Sequence, residues 1–206
     1  MTAYATAAEV RAQMNKSGTE DDTILDALTL ATSRAIDNFT NRPAGAYKAL
    51  TTATAEEYPS SGKAHLRIEE CVQITLVETR NEANGAYSAW EAGWWVAYTG
   101  DTERPKFGKT PITGVMCTDV KYRLFPAKSK LPMVRITAKW GYAVNVPDPI
   151  KQACITMTAR WYKRGEGAWA DALADGNFGI LMYKQALDPD VQMMLRMGRY
   201  IRPAIG

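Results

Sequence analysis

The sequence predicts an α+β protein in which N- and C-terminal helices form one small bundle and a β-rich antiparallel insertion lies between them. Residues 1–45 and 146–206 place apolar side chains at helical spacing, whereas residues 46–145 alternate between polar and apolar side chains. The links between the alternating segments are too short for the crossovers that parallel strands need. Neither helical end carries enough apolar surface for a bundle of its own, so we expect the two ends to pack together.

The N-terminal segment predicts a short helix followed by a longer one. Thr6 is placed to cap the first helix. Thr19 stands three residues before Asp22, which resembles a capping box with Asp in place of Glu at the start of the second helix. We expect that helix to end before Pro43, because the residue before a proline avoids the helical region. Its predicted buried face consists of Ile24, Leu28, Ala31, Ala35 and Phe39, with Leu25 and Ile36 beside it.

The insertion predicts four to six antiparallel strands. Alternation and β-branched or aromatic residues mark His65–Ile68, Val72–Leu76, Trp94–Tyr98, Tyr122–Phe125 and Met133–Trp140. Residues 81–85 are typical of a hairpin tip, and residues 99–113 of a long exposed loop, because Gly, Pro and charged residues are frequent there.

The chain returns to helical spacing after Pro147. Asp148 is predicted to cap the third helix and Pro149 to occupy its first position, where the missing N–H costs nothing. Residues 165–167 are expected to break this helix. The Asp188-Pro189 pair repeats the start signal for a last helix, whose face carries Val191, Met194 and Leu195. The face of the third helix consists of Ile150, Ala153, Cys154, Met157 and Trp161.

Composition excludes several protein classes. The net charge of +3 is too small for a dedicated nucleic-acid binder, which usually has a strongly basic face. No apolar run approaches the roughly 18–20 residues that span a bilayer, and the first residues do not resemble a signal peptide. The 3 cysteines are widely spaced and form no CxxC pair, so we expect buried or idle thiols in a reducing cytosol.

The sequence also predicts a protein without catalytic, cofactor or metal sites. His65 is the single histidine, so a nucleophilic triad or a zinc site would depend on it alone. The Glu56-Glu57 and Glu69-Glu70 pairs are explained more simply as solvated charges than as a general acid and base. A small hydrolase-like enzyme that uses Glu69 or Glu70 near His65 is an alternative.

Two groups of surface residues are candidates for contacts with other macromolecules. The arginine-rich C-terminal end can be a solvated end or an arm that docks through charge-assisted hydrogen bonds and aromatic contacts. Trp94 and Trp95 can pack within the protein or at an interface, or stack on nucleic-acid bases. We favour packing or a protein interface, and we add Lys106 and Phe107 as candidates for contacts with another protein.

The N-terminal pattern resembles that of the tailed-phage head–tail connector, or adaptor, proteins. These proteins begin with a short helix and a longer one. The similar segments of this chain are YATAAEVRAQM and DDTILDALTLATSRAIDNFTNRPAGAY. The family's long helix ends in an aromatic residue and an Asn/Gly-Arg turn. Those places are occupied by Ile36, Phe39, Asn41 and Arg42.

A second match covers the joint between the insertion and the C-terminal helices. The family has an I-x-Y-x-x-G-Y-x-x-V-P joint between a strand and a helix. The similar part of this chain consists of the strand Val134–Thr137, the segment Trp140–Tyr142, Val146-Pro147 and the following helix. The chain departs from that pattern in its longer joint and in Trp140 two residues before Tyr142. Val72–Val77 is similar to the family's I-x-x-V strand.

The resemblance implies a non-enzymatic virion protein at the portal vertex. Such adaptors form a ring, usually a dodecamer, beneath the portal protein and pass DNA through the channel towards the tail. The implied partners are the portal, neighbouring copies of the chain and a tail-side protein, without a membrane or cofactor, and the protein would be made in the host cytoplasm. The candidates for tail-side or inter-subunit contacts are Trp94, Trp95, Lys106 and Phe107. The family's C-terminal segment commonly reaches the portal, which makes residues 188–206 the expected docking arm, with Met194, Leu195, Arg196, Arg199, Tyr200, Ile201 and Arg202 as contacts.

Two alternative functions predict different binding partners. A tail completion or terminator protein would bind the tail tube rather than the portal. A DNA-binding module would bind duplex DNA with a steep dependence on salt concentration.

Overall fold

The two helical ends of the chain belong to one unit in the computed structural model, which describes residues 2–82, 85–119, 123–166, 172–175, 179–182 and 188–202. Unit 1 comprises Met1–Tyr47 and Val146–Gly206, and unit 2 comprises Lys48–Asn145. In unit 1, helices from the N-terminal end pack against helices from the C-terminal end, and unit 2 holds an antiparallel sheet. The predicted α+β class, with the two helical ends packed together, is confirmed.

Helix α1 spans Ala7–Met14 and has the capping box that satisfies two donors reciprocally. The Glu9 N–H donates to the Thr6 hydroxyl at 3.3 Å, and the Thr6 N–H donates to the Glu9 carboxylate at 2.9 Å. Helix α2 spans Asp22–Phe39, and its N-cap residue Asp21 makes no side-chain cap. The predicted cap at Thr19 is therefore wrong, because Thr19 contributes only its carbonyl, which accepts from the Asp22 N–H.

The buried side of α2 also differs from the predicted one. Ile24 is 55% exposed and Ala31 is exposed, whereas the side facing the bundle carries hydroxyl groups. The Thr32 hydroxyl oxygen lies 2.8 Å from the Thr158 hydroxyl oxygen, and mutual hydrogen bonding allows both to be buried. The buried residues of α2 are Leu25, Thr29, Thr32, Ser33, Ile36 and Asp37, while Leu28, Ala35 and Phe39 are half-buried.

Helix α3 spans Asp148–Glu166 and contacts each of the other three helices. Asp148 is its first residue rather than the predicted cap. The helix continues through Gly165, so the predicted break does not occur there, and Gly167 lies outside the described residues. The predicted face is confirmed for Ile150, Ala153, Cys154 and Met157, whereas Trp161 is half-buried and Tyr162 is buried.

Helix α4 spans Pro189–Met197, and its predicted start signal is confirmed. The Asp190 N–H donates to the Asp188 carboxylate at 2.9 Å, and Pro189 occupies the first turn. Val191 and Leu195 are fully buried in unit 1. Between α3 and α4 the chain forms a two-stranded antiparallel sheet of β8 (Ala172–Asp175) and β9 (Gly179–Met182), which the sequence analysis does not predict.

Unit 2 contains a seven-stranded antiparallel sheet among its described residues. Its strands are β1 Thr54–Ser61, β2 His65–Thr79, β3 Ser88–Ala89, β4 Trp95–Thr99, β5 Lys106–Phe107, β6 Ile112–Cys117 and β7 Ala127–Trp140. The order is β1-β7-β2-β6-β4-β5, with β3 paired to β2. The long strand β2 therefore pairs with β6 through its first half and with β7 through its second half. One face of this sheet forms the core of unit 2, which includes Leu66, Cys71, Val77, Val115, Phe125, Val134 and Ile136.

Several strand predictions need correction. The two segments His65–Ile68 and Val72–Leu76 are parts of the single strand β2, in which register shifts near Cys71 and Ile74 interrupt the alternation. Residues 123–126 are not strand, and Tyr122 lies outside the described residues. The predicted loop 99–113 contains β5 and the start of β6. At the predicted hairpin tip the Gly85 N–H donates to the Glu82 carbonyl, while residues 83 and 84 lie outside the described part of the chain.

Candidate assembly surfaces

The C-terminal segment is folded onto its own unit as far as Arg202. Two ring contacts link Tyr200 to Tyr47 and Tyr47 to Tyr4, with centroids 5.7 and 5.5 Å apart in edge-on geometry. Arg42 donates a hydrogen bond to the Tyr200 carbonyl, and the Tyr47 hydroxyl donates to the same oxygen at 3.3 Å. The aromatic and charge-assisted contacts hold the segment in place.

The backbone continues this attachment beyond Tyr200. The Arg202 N–H donates to the Thr40 carbonyl at 3.1 Å, and the Asn41 side-chain amide donates to the Arg202 carbonyl at 2.8 Å. Thr40 and Asn41 directly follow α2. The Thr40 carbonyl at the end of α2 thus accepts a hydrogen bond from the C-terminal segment. Carbonyl groups at a helix end otherwise have no partner within the helix.

A buried carboxyl group joins the N-terminus to the same region. The Tyr4 hydroxyl donates to Asp37, the Gly45 N–H donates to the other oxygen of Asp37 at 2.9 Å, and Arg34 lies 3.1 Å from that oxygen. Burial raises the pKa of the Asp37 carboxyl above its ordinary value, although these hydrogen bonds and Arg34 act in the opposite direction. The N-terminal residues, the α2 end and the C-terminal segment therefore form one polar and aromatic cluster.

This arrangement divides the predicted docking residues into two groups. Leu195 is fully buried and Tyr200 is 8% exposed, so both stabilise the fold of unit 1. Arg196 and Arg199 are exposed, whereas Met194, Ile201 and Arg202 are half-buried. Arg196 and Arg199 are therefore the most accessible of these residues to another protein while the segment stays folded in this way.

The predicted residues of unit 2 lie at the β4–β5 side of the sheet. Trp95 is half-buried and packs on the core, while Trp94, at the end of a one-turn 3₁₀ helix, lies beside Trp90 with centroids 6.5 Å apart. Arg123 lies over the Trp94 ring. Lys106 is exposed and Phe107 is 51% exposed on the two-residue edge strand β5.

Both tryptophans therefore contribute to packing in unit 2, and neither is fully buried. Lys106 and Phe107, in contrast, present an aromatic ring and a charge to solvent.

Two exposed side chains of α4 were missed by the sequence analysis. Met193 is 55% exposed and Met197 is 78% exposed, four residues apart on one side of the helix. The sequence could have indicated that both methionines are exposed, because helical spacing places neither of them on the face of Val191 and Leu195. Together with Ile24 of α2, they are the large apolar residues that the described part of unit 1 exposes.

The titratable residues give no sign of a chemical site in the described part of the chain. No group of three or more His, Cys, Asp or Glu residues that could hold a metal occurs there. His65 is half-buried in β2, opposite Met116 of β6. The three thiols are buried, and burial raises the pKa of Cys71 to about 12, so its thiolate is scarcely formed at neutral pH.

No helix within the described residues is both long and apolar enough to cross a membrane. The sequence matches no protein-family model and no curated protein.

Solved structures with a similar fold come from gene transfer agent (GTA) particles. A chain in the neck of an empty GTA particle computed with C6 symmetry is 16% identical, with a TM-score of 0.54, over 97% of this chain and 90% of that one. A chain in the neck of a native GTA particle computed with C12 symmetry is 16% identical, with a TM-score of 0.53, and the match covers 100% of this chain and 95% of that one. A chain of the virion of a native GTA particle is 20% identical, with a TM-score of 0.48, and the match covers 97% of this chain and 90% of that one. The first two similarities show that this chain shares the fold of neck proteins from a phage-like particle.

Proposed function

We propose that this protein is a head–tail adaptor, a structural neck protein that forms a ring beneath the portal and links the DNA-filled head to the tail. The observation that carries this proposal is the fold shared with neck chains over almost the full length of both proteins. The resemblance of the N-terminal helices and of the strand-to-helix joint to adaptor sequences supports it independently.

The physical character of the chain fits a ring through which DNA passes. The net charge of +3 gives little attraction to a polyanion, so DNA would slide past rather than bind tightly. Contacts between identical subunits close into a ring when each subunit carries two different complementary surfaces at the right rotation. The neck structures with a similar fold were computed with sixfold and twelvefold symmetry, which supports a cyclic assembly here.

The proposed partners are the portal protein, further copies of the chain and a tail-side protein. We assign the portal contact to the exposed residues Arg196 and Arg199 of the C-terminal segment, because Leu195 and Tyr200 are buried in unit 1. Lys106 and Phe107 are the proposed contacts with the tail-side protein.

Co-sedimentation with portal rings tests the portal assignment. We expect the wild-type protein to pellet with the portal protein encoded in the same genome, and the Arg196→Glu, Arg199→Glu double variant to stay in the supernatant with an unchanged circular dichroism spectrum, because both positions are exposed. Equal pelleting of the two proteins would contradict the role of these arginines. Binding to isolated tails but not to portal rings would instead support a tail completion protein.

A further inference from the structure

We infer that the two-stranded sheet of β8 and β9 pairs edge to edge with the same sheet in neighbouring copies, so that each β9 lies beside the β8 of the next copy around the ring. The inference rests on the proposed function, because it needs a ring of copies, and it adds the surface by which the copies join. The two strands, Ala172–Asp175 and Gly179–Met182, lie between α3 and α4 in the chain.

The fold of unit 1 does not depend on this small sheet. Helix α3 packs directly against α1, α2 and α4, whereas neither β8 nor β9 packs extensively against any other described helix or strand. The two strands also form a sheet separate from the seven-stranded sheet of unit 2. A sheet of two strands is marginally stable at best in water, and further strands or a helix normally support it. Within the described part of the chain, this sheet lacks such support.

The residue types of the two strands increase the need for a further strand. Half of the residues are Ala, Asp or Gly, which are depleted in strands because they contribute little to packing in a sheet. The register nevertheless places Leu173 opposite Leu181 and Ala174 opposite Ile180. Apolar residues on neighbouring strands stabilise a sheet, so an added strand of the same apolar composition would strengthen this one.

The edges of the two sheets differ in their protection against pairing with another chain. Proteins prevent such pairing with charged residues, proline and register shifts in their edge strands. In the seven-stranded sheet, β1 contains Glu56, Glu57 and Pro59 with register shifts around Pro59, and β5 contains Lys106 directly after Pro105.

Strands β8 and β9 lack this protection. They contain neither proline nor lysine, and Asp175 is their single charged residue. The small sheet therefore has the edges that are open to pairing.

A second copy is the occupant because it covers both edges of the small sheet. Among the described strands, the outer edges of β8 and β9 pair with nothing else, so each copy presents two different edges. A single strand from another protein would cover one of them and leave the other open. Pairing of each β9 with the next β8 covers every edge, provided that the copies close into a ring.

The strand directions are compatible with this arrangement. Strands β8 and β9 are antiparallel within one copy. Rotation about a common axis keeps every β8 in one direction and every β9 in the other, so the contact between copies is also antiparallel. The same backbone hydrogen-bond pattern then continues from one copy to the next.

Cysteine cross-linking between separate variants tests the contact directly. Leu173→Cys and Leu181→Cys proteins would be oxidised alone and as a mixture, with the portal protein present to promote assembly, and single cysteines at the other positions of β8 and β9 would cover other registers. Opposite residues of neighbouring strands have Cα atoms about 4.5–5.5 Å apart, within the reach of a disulfide. We expect cross-linked dimers in at least one mixture of a β8 variant with a β9 variant.

Each variant alone should form no cross-linked dimer. Like strands of neighbouring copies are separated by one other strand, hence by roughly 9–10 Å, which is too far for a disulfide. The native thiols are buried, so the wild-type protein is the background control. Glu56→Cys mixed with Phe107→Cys is the matched control, because both residues are exposed on the protected edge strands of the seven-stranded sheet.

Removal of the small sheet gives an independent readout. Replacement of residues 172–182 by a Gly-Ser linker of the same length should weaken ring assembly on the portal by about tenfold or more, because the strand pairs between copies are lost. The midpoint of thermal unfolding should stay unchanged, since no other described element packs extensively against these strands. A lowered midpoint with undiminished ring assembly would assign the sheet to the fold of the single chain and overturn the inference.

The possible results separate the two proposals. Wild-type rings without cross-linking in any mixture of β8 and β9 variants, or with cross-linking of one variant to itself, would overturn the inference and leave the adaptor function standing. Cross-linking of the Glu56→Cys and Phe107→Cys mixture instead would assign the contact to the seven-stranded sheet and also overturn the inference. Failure of the wild-type protein to form rings on the portal would contradict the proposed function, and the inference with it.

Discussion

Gly114 in β6 shows how a single residue determines the packing of unit 2. The Tyr98 ring of the neighbouring strand β4 lies directly over it and is 1% exposed. A Cβ atom on Gly114 would lie 2.3 Å from the Tyr98 ring carbon Cζ, a distance that real Cβ contacts do not show. Any side chain at position 114 therefore displaces a buried aromatic ring.

The Gly114→Ala variant is predicted to lower the free energy of unfolding by about 1–3 kcal/mol, the usual cost of overpacking. Gly93→Ala is the matched control, because nothing lies within 4 Å of the added methyl group there. Urea denaturation of both variants measures the difference. Equal stability of the two would contradict the described packing of Tyr98.

The Glu78–Arg135 pair on neighbouring strands of the sheet makes unit 2 sensitive to pH. Both nitrogen–oxygen distances of this bidentate contact are 2.8 Å. The hydrogen bonds from Arg135 hold the pKa of the Glu78 carboxyl below its ordinary value. A depressed pKa in the folded state means that the stabilisation is present above the pKa of the unfolded chain and is lost as the pH falls through the folded-state value.

Glu78→Gln is accordingly predicted to destabilise the protein by about 1 kcal/mol at pH 7, a moderate value because solvent screens the contact. The difference from the wild-type protein should shrink as the pH falls below about 4.5. Urea denaturation across this pH range measures it, with the exposed Glu91→Gln as control. A difference that grows towards low pH would contradict the assignment.

Among the secondary-structure elements, the helices with clear end signals could be predicted well. The Thr6 cap of α1, the Asp188-Pro189 start of α4 and most of the buried face of α3 follow from local chemistry and are confirmed. The buried face of α2 could not be predicted, because hydrogen bonds between α2 and α3 allow threonine and serine to be buried. Strand β1 was missed because it is an edge strand with almost no buried side chain and hence no alternation.

The two threonines near the starts of α1 and α2 separate a real cap from an apparent one. Thr6→Ala should cost about 1 kcal/mol of stability, because it removes a hydroxyl that accepts from the Glu9 N–H. Thr19→Ala should change the stability by less than about 0.5 kcal/mol, as is usual at an exposed position without such a contact. Thermal unfolding followed by circular dichroism compares them, and a larger loss for Thr19→Ala would contradict the assigned start of α2.

On the scale of the whole molecule, the fold class follows from periodicity, but the surfaces for assembly do not. Periodicity marks the residues that are buried, and it does not say whether the chain itself or a neighbour covers them. The stripe of Ile24, Leu28 and Ala31 was therefore predicted as core although it lies largely exposed. In the opposite sense, Leu195 and Tyr200 were predicted to contact the portal and are instead buried in unit 1. The partners of Tyr200, Arg42 and Tyr47, are distant from it in sequence, so only the folded structure connects them.

The adaptor function makes a prediction about the assembled particle that electron microscopy can test. Images of portal rings incubated with the purified protein should show an added ring of density coaxial with the portal, with cyclic symmetry and an open central channel. Portal rings alone are the control. Averages that show portal rings unchanged by the protein, or the protein bound without rotational symmetry, would contradict the account.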